Sequence, residues 1–492
     1  MNSYLFKFFA VVLILISLKT VIAGERRTQA MGEMNVAVPD IDSRINLYQS
    51  AGNMAWLKVN DSLNWMRYGA ISENNWGEIR RYWDAERNSV NYFSFSGQKH
   101  ISNSQVFFGE IRYAWDTRFN MNQAIERSPY AADPFILSDS TSGNIDFYGP
   151  QVIVGFSHQL TDHLFWGASL KYAISNGLKK KFTSPEILSR EIQASLDLAY
   201  RFNSHWTVGI LIRPYQNLDY TKLVNQPDGS TPVTYRYRGE FEFRKSVSAS
   251  DRDATSEGYE TGPQIQFTSQ RLESVFDAKY YYQWLKIFDG AGGSKHHNDG
   301  SYQAKKYSVS WTGRLFAYNL KSTAISWNYR FDYLDDWAQE PNYNLMFYRA
   351  NIREHQLHIG FSHQLKAVPV LLAGEWSYNL VNPEKNDYLA HVFRKGDITD
   401  SKLHLGVEFN YAQPFQVRAG YIYQWYNEDP IWDYFGDYKG PAVTFGFGII
   451  ESNLEFNVCG KIGRVMKISE STTNTTARRE QLDLVLELKT YF

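Results

Sequence analysis

Charged residues recur at alternate positions along many stretches of this chain, and they are its richest source of chemistry. Lys171, Asp197, Arg201, Arg213, Asp277, Lys279, Arg314, Glu375, Glu408, Arg418, Glu455, Lys461, Asp483, Glu487 and Lys489 all fall on the polar side of segments whose apolar residues take the other positions. A period of two puts them on one face of a β-strand. A charge withdrawn from bulk water needs a partner or residual water. This face therefore lines a water-filled space, or it is crossed by ion-pair ladders that hold an inserted segment. Both signs are interspersed, which argues against strong ion selectivity.

Other chemistry is thinner. His296-His297 stand near Lys295 and Asp299, but a structural metal site takes about four ligands, and no others follow at a suitable spacing. They read as a solvated loop tip. The single cysteine, Cys459, excludes an internal disulfide framework and reads as a small inert residue in mid-strand. Asp335-Asp336 and Glu428-Asp429 read as ordinary loop charges. The net charge is −1 over 492 residues, which offers nucleic acid no basic footprint. Nothing calls for a cofactor.

The elements that must carry these residues are strands. Leu482, Leu484, Leu486, Leu488, Thr490 and Phe492 alternate with Asp483, Val485, Glu487, Lys489 and Tyr491. The same pattern runs through 164–175, 192–202 and 415–425. Aromatics make up 16% of the chain, yet the mean hydropathy is −0.44, and no long apolar run follows the first twenty residues. A wide apolar face repeated on strand after strand, with aromatics towards its ends, suits lipid outside and a polar lumen inside. In lipid only a closed sheet pairs every backbone group. The expected fold is all-β: a closed antiparallel transmembrane barrel over 61–492, with about 18 strands, or 16 if the first two stand outside the wall. Such a barrel is wide enough for a channel. The stretch 233–245 reads as a hairpin in a long loop, outside the wall.

Connections alternate in length. Short ones fall near Thr161-Asp162, Asn203-Ser204, Ser269-Gln270, Asn319-Leu320, Lys366-Ala367, Ala412-Gln413 and Glu451-Ser452. Long ones fall near 117–147, 177–188, 218–258, 289–301, 335–348, 381–399, 428–439 and 469–480. Short periplasmic turns against long outer loops are the asymmetry of outer-membrane barrels. His158, His163, His205 and His363 lie at the short-turn edge, away from where a serine–histidine pair would meet the outer leaflet, so no enzyme is expected. The loop aromatics Tyr343, Phe347, Tyr348, Trp432, Tyr434, Phe435 and Tyr438 either grip a ligand or pack among themselves. The run Gly155-Phe156-Ser157-His158-Gln159-Leu160 recurs at 360–365, as an old duplication or as one solution used twice at the same depth.

At the N-terminus Lys7, the apolar run Phe8 to Leu18, and Val21-Ile22-Ala23 predict a signal peptide over 1–23, cleaved after Ala23. The run is too short to span a bilayer. Residues 24–60 alternate poorly. Within them come Met31-Gly32, Val36-Ala37-Val38, Asp40 and Ser50-Ala51-Gly52-Asn53. This resembles the start of mature FadL-like barrels and of the uncharacterised Bacteroidota barrels of unknown function. There a Met-Gly, small-residue, Asp run leads to Asn-Pro-Ala-Gly; Gln49-Ser50 replaces the Asn-Pro here. The resemblance implies that this segment plugs the lumen, with a periplasmic lead-in strand as the alternative. It also implies a hydrophobic pocket beneath the loops and a lateral opening at a kinked strand, for which Gly446 and Gly448 are candidates. The implied protein is a cell outer-membrane channel or transporter for a small molecule, hydrophobic if the likeness extends to the ligand. A non-transporting envelope scaffold or assembly partner is the second reading, and an outer-membrane enzyme the third. Expected partners are outer-membrane lipid, the barrel-assembly machinery acting on the C-terminal strand, and an unidentified small-molecule ligand.

Overall fold

A computed structural model describes residues 29–38, 45, 47–60, 64–127, 129–130, 134–223, 231–239, 241–247, 251–291, 297–317, 320–365, 368–410, 414–451, 453–468 and 477–492. The expected signal peptide lies outside the described residues. So do Asp40, Lys295, His296, Asn319, Lys366-Ala367, Ala412-Gln413 and Ser452.

The alternating segments form strands β1 (Trp65–Gly77), β2 (Arg87–Ser102), β3 (Gln105–Met121), β4 (Leu137–Asp139), β5 (Gly143–Gln159), β6 (Leu164–Lys179), β7 (Glu186–Arg201) and β8 (Trp206–Lys222). After β9 (Val233–Tyr237) and β10 (Phe243–Val247) come β11 (Asp251–Thr268), β12 (Leu272–Ala291), β13 (His297–Ala317), β14 (Leu320–Gln339), β15 (Met346–Gln364) and β16 (Val370–Asp387). The chain closes with β17 (Val392–Lys395), β18 (Ile398–Phe409), β19 (Phe415–Glu428), β20 (Tyr438–Glu451), β21 (Leu454–Lys467) and β22 (Arg478–Tyr491).

One sheet holds nineteen of these strands. Eighteen run as long antiparallel neighbours, and the short β17 leans on the end of β16. The first and last strands pair along their whole length, from Trp65↔Tyr491 to Gly77↔Arg479. The sheet is therefore a closed 18-stranded antiparallel barrel. Closure leaves no edge to be desolvated unpaired. The hairpin β9–β10 stays out of the wall and joins β4 in a separate three-stranded sheet.

Faces alternate as the sequence pattern requires. On β22, Leu482 and Leu484 are exposed, while Val485 and Glu487 are buried. Phe93, Ile111, Leu196, Ile212 and Val443 likewise point outward. At one end the connections are short, as at 103–104, 202–205 and 269–271; at the other they are long, as at 122–142 and 223–250. Several expected loops are shorter than the pattern suggests. The one placed at 335–348 is 340–345, because β14 and β15 run 20 and 19 residues. About 9–11 residues cross a bilayer's apolar core, so these strands continue well past it on the long-loop side. The expected kink is absent at Gly446 and Gly448, where β20 keeps register with β19 through Arg418↔Gly446 and Gln416↔Gly448. The β20–β21 ladder is interrupted instead around Gly440-Pro441, where proline has no N–H to donate.

Candidate functional site

All fifteen charged residues are buried or half-buried. The structure brings many of them into pairs. Lys279 Nζ lies 3.2 Å from Asp277, Arg314 lies 3.6 Å from Glu273, and Arg67 lies 4.0 Å from Glu487. Arg418 Nε donates to Glu408 at 2.8 Å, with both side chains fully buried. Lys171 meets Glu191 at 2.5 Å. Glu455 takes a hydrogen bond from Asn457 and Asp483 one from Gln481. Arg201 lies over the Phe165 ring, and Lys489 over Trp65.

The remaining charges meet residues 29–60. Glu375, on β16, accepts the backbone N–H groups of Asn35, Val36 and Ala37 at 2.7–3.0 Å. Lys461 reaches Glu33 at 2.7 Å. Asp197, on β7, accepts the Met54 N–H at 2.7 Å, and Arg213 donates to the Gly52 carbonyl at 3.1 Å. Glu273 accepts the Ile45 N–H at 3.2 Å. Beyond the charges, Thr444 accepts from Gly32 N–H and donates to the Ala30 carbonyl.

The segment carries two short helices, α1 (Leu47–Ala51) and α2 (Leu57–Asn60), separated by a 3₁₀ turn at Met54–Trp56. Asn53 caps that turn by accepting the Ala55 N–H at 3.0 Å, which gives an acceptor to a donor that has no helical partner. Its amide also donates to Gln264 on β11 at 2.8 Å. Apolar side chains complete the fit: Leu47 and Trp56 pack with Phe165 and Val275, and Met31 and Met34 with Leu371 and Ala373. Two inward glycines permit backbone-to-backbone approach. A Cβ on Gly420 would lie 2.2 Å from Gly32 N, and one on Gly167 would lie 2.4 Å from Ala55 N. Both copies of the repeated hexapeptide face this segment, with Ser157 donating to the Ala55 carbonyl at 3.0 Å and Gly360 lying against Ala37. Small side chains at the same depth serve the same packing. Sequence reasoning missed these glycines and serines; their signal was a small residue in the inward phase.

At the long-loop end a second layer covers the barrel. The β4–β9–β10 sheet is tied to the wall by buried ion pairs. Arg252, on β11, reaches Asp289 at 3.0 Å and Asp299 at 3.2 Å. Arg236 and Arg238, from β9 and just after it, take the same two carboxylates at 2.9 and 2.6 Å. Asp299, considered in sequence as part of a loop tip, is thus a buried anchor. Phe135 packs with Leu285, Tyr302, Phe347 and Tyr348. Of the loop aromatics, Phe347, Tyr348 and Trp432 are buried, while Tyr343 is 78% exposed. Arg81 lies among the Tyr130, Tyr434 and Phe435 rings. Burial raises the Tyr130 phenol well above its ordinary range, and it accepts the Trp83 N–H at 2.7 Å.

The other polar groups considered in sequence have structural partners. Asp335 pairs with Arg349 at 3.1 Å, and Asp336 accepts from the Tyr302 hydroxyl. Glu428 accepts the N–H groups of Phe435 and Gly436, and Asp429 that of Asp397. His163 and His205 bond neighbouring strand carbonyls at 2.8 Å, and His158 and His363 stack on Phe156 and Phe361. Cys459 is buried with Ala30, Ile71 and Val485. Among the described residues no group of three or more His, Cys, Asp and Glu is arranged to hold a metal ion.

Beside the N-terminal segment, against the wall, lies a cavity of about 500 Å³. Its lining includes Ser50 from the N-terminal segment and Arg213, Glu260, Lys279, Lys306 and Arg330 from the wall.

Residues 55–438 match the model of a family described as a family of unknown function, DUF6850. The chain belongs to this family. A search of curated proteins finds no match. Solved structures similar to the chain include the outer membrane transporter YddB from Escherichia coli, at 9% identity and a TM-score of 0.43, covering 88% of this chain and 81% of that one. They also include the P. putida toluene transporter TodX, at 14% identity and a TM-score of 0.34, covering 96% of this chain and 99% of that one. Neither likeness says what this chain carries.

Proposed function

We propose that this protein is an outer-membrane channel or transporter for a small molecule, with residues 29–60 as a plug that must shift before anything passes. The observation that carries this reading is the inserted segment itself. Its N–H groups are taken up by Glu375, Asp197 and Glu273 on three different wall strands. A barrel serving only as a scaffold has no need of a fitted floor with a roomy polar cavity beside it. The apolar outer face and full strand closure support a membrane location, since closed barrels are the form in which strands cross lipid.

The lining favours a polar cargo over a hydrophobic one. Charged and hydroxyl side chains dominate it, and the aliphatic side chains in it are Ala304 and Leu334. Reconstitution tests the transport reading. Proteoliposomes holding the full chain are expected to take up small polar solutes faster than protein-free vesicles. Equal rates would remove that reading, and copurification of a stable envelope partner would then favour the scaffold.

A further inference from the structure

The cavity beside the plug has a charge pattern that points to a class of ligand. Its wall comes from the inward faces of β8 and β11–β14. Two ion-pair chains cross it. In the first, Glu260 is shared by Arg213 and Lys279, each at 3.5 Å, and Lys279 also meets Asp277 at 3.2 Å. Two cations there face two carboxylates. In the second, Lys306 at 2.8 Å and Arg330 at 2.9 Å share one carboxylate, Asp332.

The second chain is therefore one negative charge short. Its cations are also the accessible members: the side chains of Lys306 and Arg330 are 33% and 41% exposed, against 6% for Asp332. Glu354, opposite Asp332 on β15, keeps its charge while accepting from the Gln356 and Asn379 amides at 2.7 and 3.0 Å, but it does not line the cavity, so within the lining the two cations outnumber their carboxylate. An ammonium has three donors and a guanidinium five, so one shared carboxylate leaves donors over for an incoming anion. Beside them stand hydroxyl-matching groups, Ser308, Ser310, Tyr281 and Gln283. Tyr281 already donates to Gln283 at 3.0 Å, and Gln283 to Ser256 at 2.9 Å, so these side chains are held in place.

We infer that this cavity binds a small hydroxylated monoanion of the size and chemistry of a sugar acid. Its carboxylate sits between Lys306 and Arg330, and its hydroxyls sit on the serine, tyrosine and glutamine groups. A volume of about 500 Å³ suits such a solute, being within the range of small-molecule sites. The inference deepens the transport reading and rests on it for its biological sense, but the binding itself does not require transport.

The experiment is titration calorimetry on the full-length protein in detergent, with glucuronate, glucose and octanoate as probes. Glucuronate is expected to bind, glucose to bind more weakly, and octanoate not to bind. Lys306→Met and Arg330→Gln are each expected to weaken glucuronate about tenfold or more, the loss typical of a charge-assisted hydrogen bond, and to leave glucose unchanged. Arg330→Lys keeps the charge and is expected to retain most of the affinity. That variant keeps the test informative if a neutral variant fails to fold, which heat-modifiability on a gel reveals. The inference is overturned if glucuronate fails to bind the full chain, if the neutral variants bind it like the original, or if octanoate competes. If glucuronate binds as expected but does not cross proteoliposomes, the transport reading fails and the site stands.

Discussion

Two layers pack against the inside of the barrel wall, and they are held in different ways. The floor, residues 29–60, is gripped largely by its backbone: wall carboxylates, a threonine and a serine bond its N–H and C=O groups. The lid, built on β4, β9 and β10, is gripped by side chains on both partners, with three arginines distributed over Asp289 and Asp299. A backbone grip spreads the hold over many bonds of moderate strength. A buried ion cluster concentrates it, because removing one partner strands another charge away from water. The floor therefore suits release in steps, and the lid suits permanence.

Breaking the lid should have the largest effect. Asp299→Ala takes away the carboxylate that Arg238 of the lid shares with Arg252 of the wall, leaves both buried guanidinium groups a partner short, and is expected to cost about 3–5 kcal/mol. Limited trypsin digestion should then cut the loops while the wall resists; an unchanged digestion pattern would mean that the cluster does not hold the lid. Next comes Glu375→Gln, which replaces a charged acceptor of three N–H groups by a neutral one and should weaken that end of the floor by about 1.5–3 kcal/mol. Maleimide labelling of an Ala37→Cys probe reads the release, and the native Cys459 is buried. Labelling that does not rise would argue that apolar packing alone holds this end.

Gly420→Val forces a side chain into the space taken by Gly32 and should cost about 1–3 kcal/mol in overpacking. The same cysteine probe should respond, while barrel closure, measured by heat-modifiability, should not. The smallest effect belongs to Ser157→Ala, which removes one hydrogen bond to the Ala55 carbonyl, worth about 0.5–1.5 kcal/mol. It should loosen the floor near Met54 and leave labelling at residue 37 alone. Equal responses at both ends would show that the floor moves as one body.

The wall was legible because its signal is repeated: one period, one apolar face, many strands. The side-chain alternation on β22 alone would fit a soluble sheet, and only the other strands turn it into a barrel. Loop lengths were less legible, since β13 and β14 continue past the apolar band with residues such as Lys305, Asp335 and Trp337 that resemble loop chemistry. The inward charges were found by phase, but their partners were not. Glu375 bonds backbone groups, which are the same for any residue type at 35–37 and leave no mark in sequence. The lid was hidden for another reason: Arg236, Arg238, Arg252, Asp289 and Asp299 lie on four separate stretches that only the fold brings together.

Single-channel recording in planar bilayers tests the central claim most directly, comparing the full chain with a variant lacking residues 24–60. A floor that closes the lumen predicts that the full chain is mostly silent and that the deletion opens a stable pore of several-fold higher conductance. If the deletion variant forms a barrel that conducts no better than the full chain, residues 29–60 are not what closes it.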